Sequence, residues 1–253
     1  MLRTAILSLA VAWAVPSLAL AHPLVDEGVR RLHDADFAGA LQLFGDAERS
    51  DDLTRADLVT LLEARATVHL ALDDRLSADS DLRMLAALDH DHPVSSAASP
   101  DFTEAFERAV AAVREGLSIS ATHTRSGDRV QIDTWIRADP AGLVRSIRVF
   151  ARRGDSPWGD ASPSQARVSA SPDTRVSYYA EAIGPGGAVV ATIGSRQHPR
   201  SVPVGDSGEN GGVPWLWIGV GAGATALVAT IAVVLVATSG GGDTVIDGPY
   251  PTD

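Results

Sequence analysis

From Trp215 to Thr238 the chain runs for 24 residues without one charged side chain, as WLWIGVGAGATALVATIAVVLVAT. Coiled as an α-helix, such a run is about 36 Å long and crosses the roughly 30 Å hydrocarbon core of a bilayer with some tilt. Trp215 and Trp217 open it, where indole rings favour the headgroup level. The competing reading is a buried core helix. The uniform apolarity argues against it, and so does the stretch Gly205–Gly212, GDSGENGG, which reads as part of a flexible linker over 201–214. Gly219 and Gly223 form a GxxxG pair within the run, a spacing that lets two helix backbones approach, so a weak homodimer through the span is expected.

The other apolar end is of a different kind. Residues 1–21 read MLRTAILSLAVAWAVPSLALA, with Arg3 near the start, an apolar stretch, and Ala19-Leu20-Ala21 as an A-x-A cleavage pattern. This predicts a secretory signal peptide cut before His22, the alternative being an uncleaved anchor. Cleavage places the following residues outside the inner membrane, in the periplasm, and the short acidic tail 239–253 inside. The distribution of arginine does not support that orientation, because Arg196 and Arg200 precede the span and none follows it. The signal is the stronger evidence, since it commits the N-terminus to translocation. The missing basic cluster also separates the span from C-terminal sorting signals, so a permanent anchor is expected.

The formal net charge is −11, which argues against general nucleic-acid binding. There is no cysteine, which excludes a disulfide scaffold, a thiolate metal site and a cysteine nucleophile. All 21 basic residues are arginine.

Residues 22–115 carry apolar positions at helical spacing. Ser99 suits an N-cap, Pro100 the first helical position and Asp101 the positive end of the dipole. Phe102, Ala105, Phe106, Ala109, Val110 and Val113 then share one face of a helix over 100–115, ended by Gly116. Upstream, Gly28, Phe37, Ala40, Phe44 and Ala47 have a spacing that returns 38 residues later, where Ala78, Leu82 and Leu85 match Ala40, Phe44 and Ala47. Small residues let two helices approach, and large ones fill the gap. The region resembles a short, degenerate tetratricopeptide array of two repeats plus one helix. That resemblance implies a groove for peptides or proteins. The competing reading is a helical bundle that only packs on its neighbour.

From residue 116 to 200 the period changes to two. Leu117, Ile119 and Ala121 alternate with polar residues. So do Val130, Ile132, Thr134 and Ile136, and then Leu143, Arg145, Ile147, Val149 and Ala151. Ala166, Val168 and Ala170 follow, then Val176, Tyr178, Ala180 and Ala182, and a last strand over 188–193. Ser126-Gly127-Asp128, Asp139-Pro140 and Gly184-Pro185-Gly186-Gly187 mark turns. Six or seven short strands predict an antiparallel sandwich. With TRVSYYAEAIGPGGAVVATIGS in particular, it resembles fibronectin type III and immunoglobulin-like modules, without the Cys–Trp–Cys hallmark of the latter. The expected architecture is α+β and multidomain: signal peptide 1–21, helical domain 22–115, β-sandwich 116–200, linker 201–214, transmembrane helix 215–238 and tail. It resembles exported single-span bacterial envelope proteins.

Several constellations invite chemistry. A mature His22 would set an amine beside an imidazole, as a copper brace does, but no second histidine is placed to complete it. Asp89-His90-Asp91-His92-Pro93 has metal-ligand residue types, yet reads as a solvated loop between helices. Asp51-Asp52 and Asp73-Asp74 fall at helix ends, where capping and solvation explain them. Neither a nucleophile elbow, a Walker loop nor H-E-x-x-H is present. No catalytic, cofactor-binding or metal residue is therefore assigned, and no cofactor is expected. Trp135, Phe150 and Tyr179 have the parity of polar strand faces, and either bind a glycan or protein or pack against a neighbouring loop. Residues 22–115 hold 20 Asp and Glu against 9 Arg, and residues 116–200 hold 7 against 11. Opposite charge across a short join predicts docking of the two halves, with Arg148, Arg152 and Arg153 as candidate contacts. The functional expectation is a non-enzymatic envelope adaptor that binds protein partners. The runner-up is a ligand-binding or sensory module, for example for cell-wall glycan.

Overall fold

A computed structural model describes residues 21–202, which form an α+β fold of five α-helices followed by two antiparallel sheets. Among the described residues no helix is long and apolar enough to cross a membrane. The expected span, the Gly219–Gly223 pair, the linker beyond residue 202 and all but the last residue of the expected signal peptide lie outside them.

The helical half is two hairpins and a closing helix: α1 (Pro23–His33), α2 (Phe37–Arg49), α3 (Arg55–Ala71), α4 (Arg75–Leu88) and α5 (Pro100–Ala112). The 38-residue spacing is present as structure, because the two hairpin turns match bond for bond. Asp34, Ala35 and Asp36 donate their N–H groups to the carbonyls of Arg30, Leu32 and Arg31. Leu72, Asp73 and Asp74 donate to those of Val68, Leu70 and His69. Ala35 and Asp73 both take the left-handed conformation, at φ 58° and 57°. Asp36 and Asp74 then cap the next helix, accepting from Gly39 N at 3.0 Å and Ser77 N at 3.2 Å. Ala40, Phe44, Ala47, Ala78, Leu82 and Leu85 are all fully buried. A Cβ on Gly28 would collide with the Phe44 ring, so the absence of a side chain at 28 is what lets α1 lie on α2.

The connection from α4 brings Ser99 to the N-cap of α5, where its hydroxyl accepts from Phe102 N at 3.2 Å, with Pro100 in the first turn. The helix ends at Ala112, earlier than the expected residue 115. Val113 leaves helical geometry and is buried against the core, while Gly116 lies outside the helix.

The β half has β1 (Ser118–Ser126), β2 (Arg129–Ala138), β3 (Ser146–Arg153), β4 (Ser162–Pro163), β5 (Gln165–Ser169), β6 (Val176–Ile183), β7 (Val189–Ile193) and β8 (Arg200–Val202). One sheet runs β1-β2-β5 and the other β4-β3-β6-β7, with β8 also paired to β6. Val130, Ile132 and Ala166 of the first sheet and Ile147, Val149, Val176, Tyr178 and Ala180 of the second share a buried core. Ser164, at φ 53°, carries the chain from one sheet to the other between β4 and β5. Its N–H donates to Ile147 O at 3.1 Å, and its carbonyl accepts from Thr134 N at 2.8 Å and Thr134 Oγ1 at 2.7 Å. One residue thereby ties β3 to β2.

Two expected boundaries move. Leu143–Arg145 precede β3, because Asp139 holds the chain in a turn, its Oδ1 accepting from Leu143 N and its Oδ2 from Val144 N at 2.8 and 2.9 Å. Residues 201 and 202 belong to the sheet, with Val202 opposite Val176, so the sandwich runs past residue 200 into the expected linker.

The two halves share a core. Leu143, Ala182, Ala188 and Val190 of the β half join the buried residues of the helical half. At the turn between β6 and β7, Gly186 and Gly187 have φ of 61° and 75°. This turn presses on the loop between α2 and α3: Gly186 O accepts from Leu53 N at 2.8 Å, and a Cβ on either glycine would collide with Leu53 or the Asp51 carbonyl. Arg55 donates from Nη1 to Val190 O at 2.7 Å and from Nη2 to Leu88 O. Leu117 N donates to Ala87 O at 3.3 Å. The expected arginine contacts are not part of this joint. Arg148 pairs with Glu181 within the sheet, Arg152 covers Trp158, and Arg153 is exposed. Apolar burial, backbone hydrogen bonds and the half-buried Arg55 guanidinium hold the halves together, a stronger combination than screened surface charge.

Candidate functional site

Three of the four large apolar residues exposed among the described residues flank the connection between β2 and β3; the fourth, Leu72, is at the end of α3. Trp135 is 47% and Ile136 43% exposed near the end of β2. They border an open depression of about 370 Å³ whose other walls include Thr134, Val144, Ile147 and Ser164. On the other side of the connection, Leu76 of α4 is 85% exposed. It lines a second depression of about 250 Å³ with Asp79, Arg83, Pro140 and Ala141. The strand pattern explains how β2 reaches the surface. Its first half alternates into the sandwich core, whereas Trp135, Ile136 and Arg137 lie beyond the core, where alternation no longer buries one face. Large apolar side chains grouped in this way on a surface mark a contact face.

The three aromatic residues separate into two cases. Tyr179 is buried, and Phe150 stacks on it at 4.6 Å between ring centroids and 10° between planes. Trp158, from the loop after β3, meets Tyr179 edge-on at 4.8 Å, and the Arg152 guanidinium sits 4.6 Å above the Trp158 ring. Phe150 and Tyr179 therefore pack under a neighbouring loop, with a cation–π contact as cover. Trp135 has no such cover and remains available to a ligand.

The polar constellations serve the fold. The segment 89–93 is an inter-helix loop exposed at His90, Asp91 and Pro93, as the sequence leads one to expect, but His92 turns inward. Its side chain is 10% exposed, with Nδ1 3.3 Å from Asp89, Nε2 3.3 Å from Glu63 of α3, and its ring edge-on to Phe106 of α5. His90 pairs only with Asp91 on the surface. Among the described residues no three His, Asp or Glu side chains converge as metal ligands. Arg65 of α3 grips Asp81 of α4 with two hydrogen bonds, at 2.9 and 2.7 Å, and Glu48 of α2 at 3.0 Å. Burial works to lower the Arg65 pKa, but the two carboxylates outweigh it and hold the guanidinium charged. This is a paired, fully bonded bridge across three helices. Of the paired carboxylates, Asp74 caps α4, Asp73 meets Arg75, and Asp52 Oδ1 lies 3.2 Å from His22 Nε2. No family model matches this chain, and no curated protein or solved structure matches it.

Proposed function

We propose that the chain is an exported, membrane-anchored adaptor of a bacterial envelope. In this reading its described residues stand in the periplasm and bind a protein partner through the face around the β2–β3 connection. The observation that carries the proposal is the placement of Leu76, Trp135 and Ile136 around that one connection, exposed and beside two open depressions. Address and anchoring come from the signal-like start and the uncharged run at 215–238. The duplicated hairpin turn supports reading the helical half as a tetratricopeptide-like array, and the strand order 1-2-5 against 4-3-6-7 supports a fibronectin type III-like sandwich. No residue is assigned to catalysis.

The test is site-specific photo-crosslinking in membranes. A photoreactive side chain replacing Trp135 captures a discrete protein, and one replacing Arg153 does not. Ile136→Glu abolishes the capture without loss of folded protein. Equal capture at both positions contradicts the proposed face. Trp135 beside a groove also suits stacking on a sugar ring. Retention of the chain on peptidoglycan through Trp135, with no protein captured, would favour that second reading. Topology is tested separately: alkaline phosphatase fused after Asp253 is expected to be inactive, and an active fusion contradicts a tail on the inside.

A further inference from the structure

His22 sits where α1, the α2–α3 loop and α3 meet. Its backbone nitrogen donates to Asp57 Oδ1 at 2.9 Å, across 35 residues of chain. Asp57 is buried, at 6% exposure, and its other oxygen accepts from Thr54 N at 2.9 Å and Thr54 Oγ1 at 2.6 Å. The His22 side chain is 9% exposed, with Nε2 on Asp52 and Nδ1 buried without a hydrogen-bond partner. A backbone nitrogen one residue past an A-x-A pattern, seated on a buried carboxylate beside an orphaned acceptor, is the arrangement a free N-terminus would fill.

We propose that export processing completes the fold: hydrolysis of the Ala21–His22 bond leaves the His22 nitrogen as an α-ammonium, ion-paired with the buried Asp57 carboxylate. This rests on the exported reading above. In the hydrolysis, catalysed by the peptidase of the export machinery, water's oxygen goes to the Ala21 carbonyl, which becomes a carboxylate. The His22 nitrogen leaves as an amine and takes up a proton. An amide offers one hydrogen, already spent on Asp57, whereas an ammonium offers three and a full positive charge. One keeps the Asp57 bond, and the others are donors on the very residue whose Nδ1 lacks one. The charge stands at the N-terminus of α1, where the helix dipole opposes it with roughly half a charge. Two whole carboxylates, Asp57 at the nitrogen and Asp52 at the ring, face it and outweigh the dipole. Asp26 adds a third negative charge in the first turn of α1. The segment removed would otherwise hold the nitrogen neutral, so the chain gains this pair only after it has crossed the membrane.

The sequence offers a clean readout. It contains no lysine, so in a processed chain the α-amine is the one amine an acylating reagent meets. The full mature chain, purified from membranes in detergent, is weighed intact and then acylated at about pH 6.5, well below the ordinary α-amine pKa of about 7.7–8.0, folded and in urea. A mass beginning at His22 is expected; any other start overturns the proposal together with the cleavage on which it rests. The folded amine is expected to react at least about tenfold more slowly than the unfolded one, the factor for each unit by which pairing raises its pKa. A chain that retains Ala21 as its first residue is expected to react at the unfolded rate, as is folded Asp57→Asn. A chain that begins at His22 but reacts equally fast folded and unfolded overturns the ion pair while leaving export intact. That comparison needs no variant, so it decides the matter even where Asp57→Asn does not fold.

Discussion

Asp57 accepts from three donors, the Thr54 hydroxyl, the Thr54 N–H and the His22 N–H, while lying almost out of water. Burial, the largest single influence on its carboxyl, pushes the pKa up. The Thr54 hydroxyl and the two N–H groups together outweigh it and hold the group below its ordinary value. A carboxylate whose pKa is lowered by folding contributes stability above its unfolded value near about pH 4, and that contribution is lost as pH falls through the lower folded value. Urea midpoints measured from about pH 5 down to pH 2 are therefore expected to fall more steeply for the natural chain than for Asp57→Asn. Parallel curves would contradict this. Gly28 makes a second prediction at the same scale. Gly28→Ala forces a Cβ into the Phe44 ring, which is fully buried and has nowhere to go, so a loss of about 1–3 kcal/mol is expected. A gain, as replacing a helical glycine by alanine gives in an open helix, would show that α1 lies off α2. Gly28 and Asp57 differ in legibility. Gly28 stood out from the spacing of its partners. The role of Asp57 was hidden, because its donor comes from 35 residues away.

The hairpin turn is the element the sequence marks most clearly, through an Asp at each cap and a 38-residue return. Its strained position was not marked. Ala35 occupies a left-handed conformation that glycine adopts without cost, and Asp73 occupies the same place in the second turn with a side chain better suited to it. Ala35→Gly is accordingly expected to stabilise the chain by about 0.5–1 kcal/mol, and Asp36→Ala, which removes the cap on α2, to destabilise it by about 1 kcal/mol. Chemical denaturation of the two variants checks both signs. The strands were legible where alternation meets a core, as at Val130–Thr134 and Val176–Ala182. The second half of β1, Thr122–Ser126, was not, because its residues are polar or exposed on both faces and only pairing with β2 makes it a strand. β4 and β8, at two and three residues, are too short to show a period.

At the scale of the molecule, net charge pointed to an association of the two halves and named the wrong contacts. Charge is a long-range average, whereas the joint is made by Gly186 and Gly187 pressed on Leu53, with Arg55 tying α3 to β7 and to the end of α4. The overlooked signal was Leu53 itself, a lone apolar residue in the acidic loop Ser50-Asp51-Asp52-Leu53-Thr54, which is 4% exposed because the β half covers it. Arg55→Met, which keeps the stem and removes the donors, is expected to cost about 1.5–3 kcal/mol and to lower the stability of both halves equally. On this reading helices and sandwich are one cooperative body that presents the β2–β3 face as a rigid surface. Residues 22–202 contain two tryptophans, Trp135 and Trp158, and both lie in the β half, while all five α-helices among the described residues lie in the other. Urea unfolding of this segment, followed at once by tryptophan fluorescence and by circular dichroism at the helical band, reads each half with its own probe. The two transitions are expected to coincide, in low and high salt alike. Separate midpoints, or a helical transition that moves while the fluorescence transition stays, would contradict it.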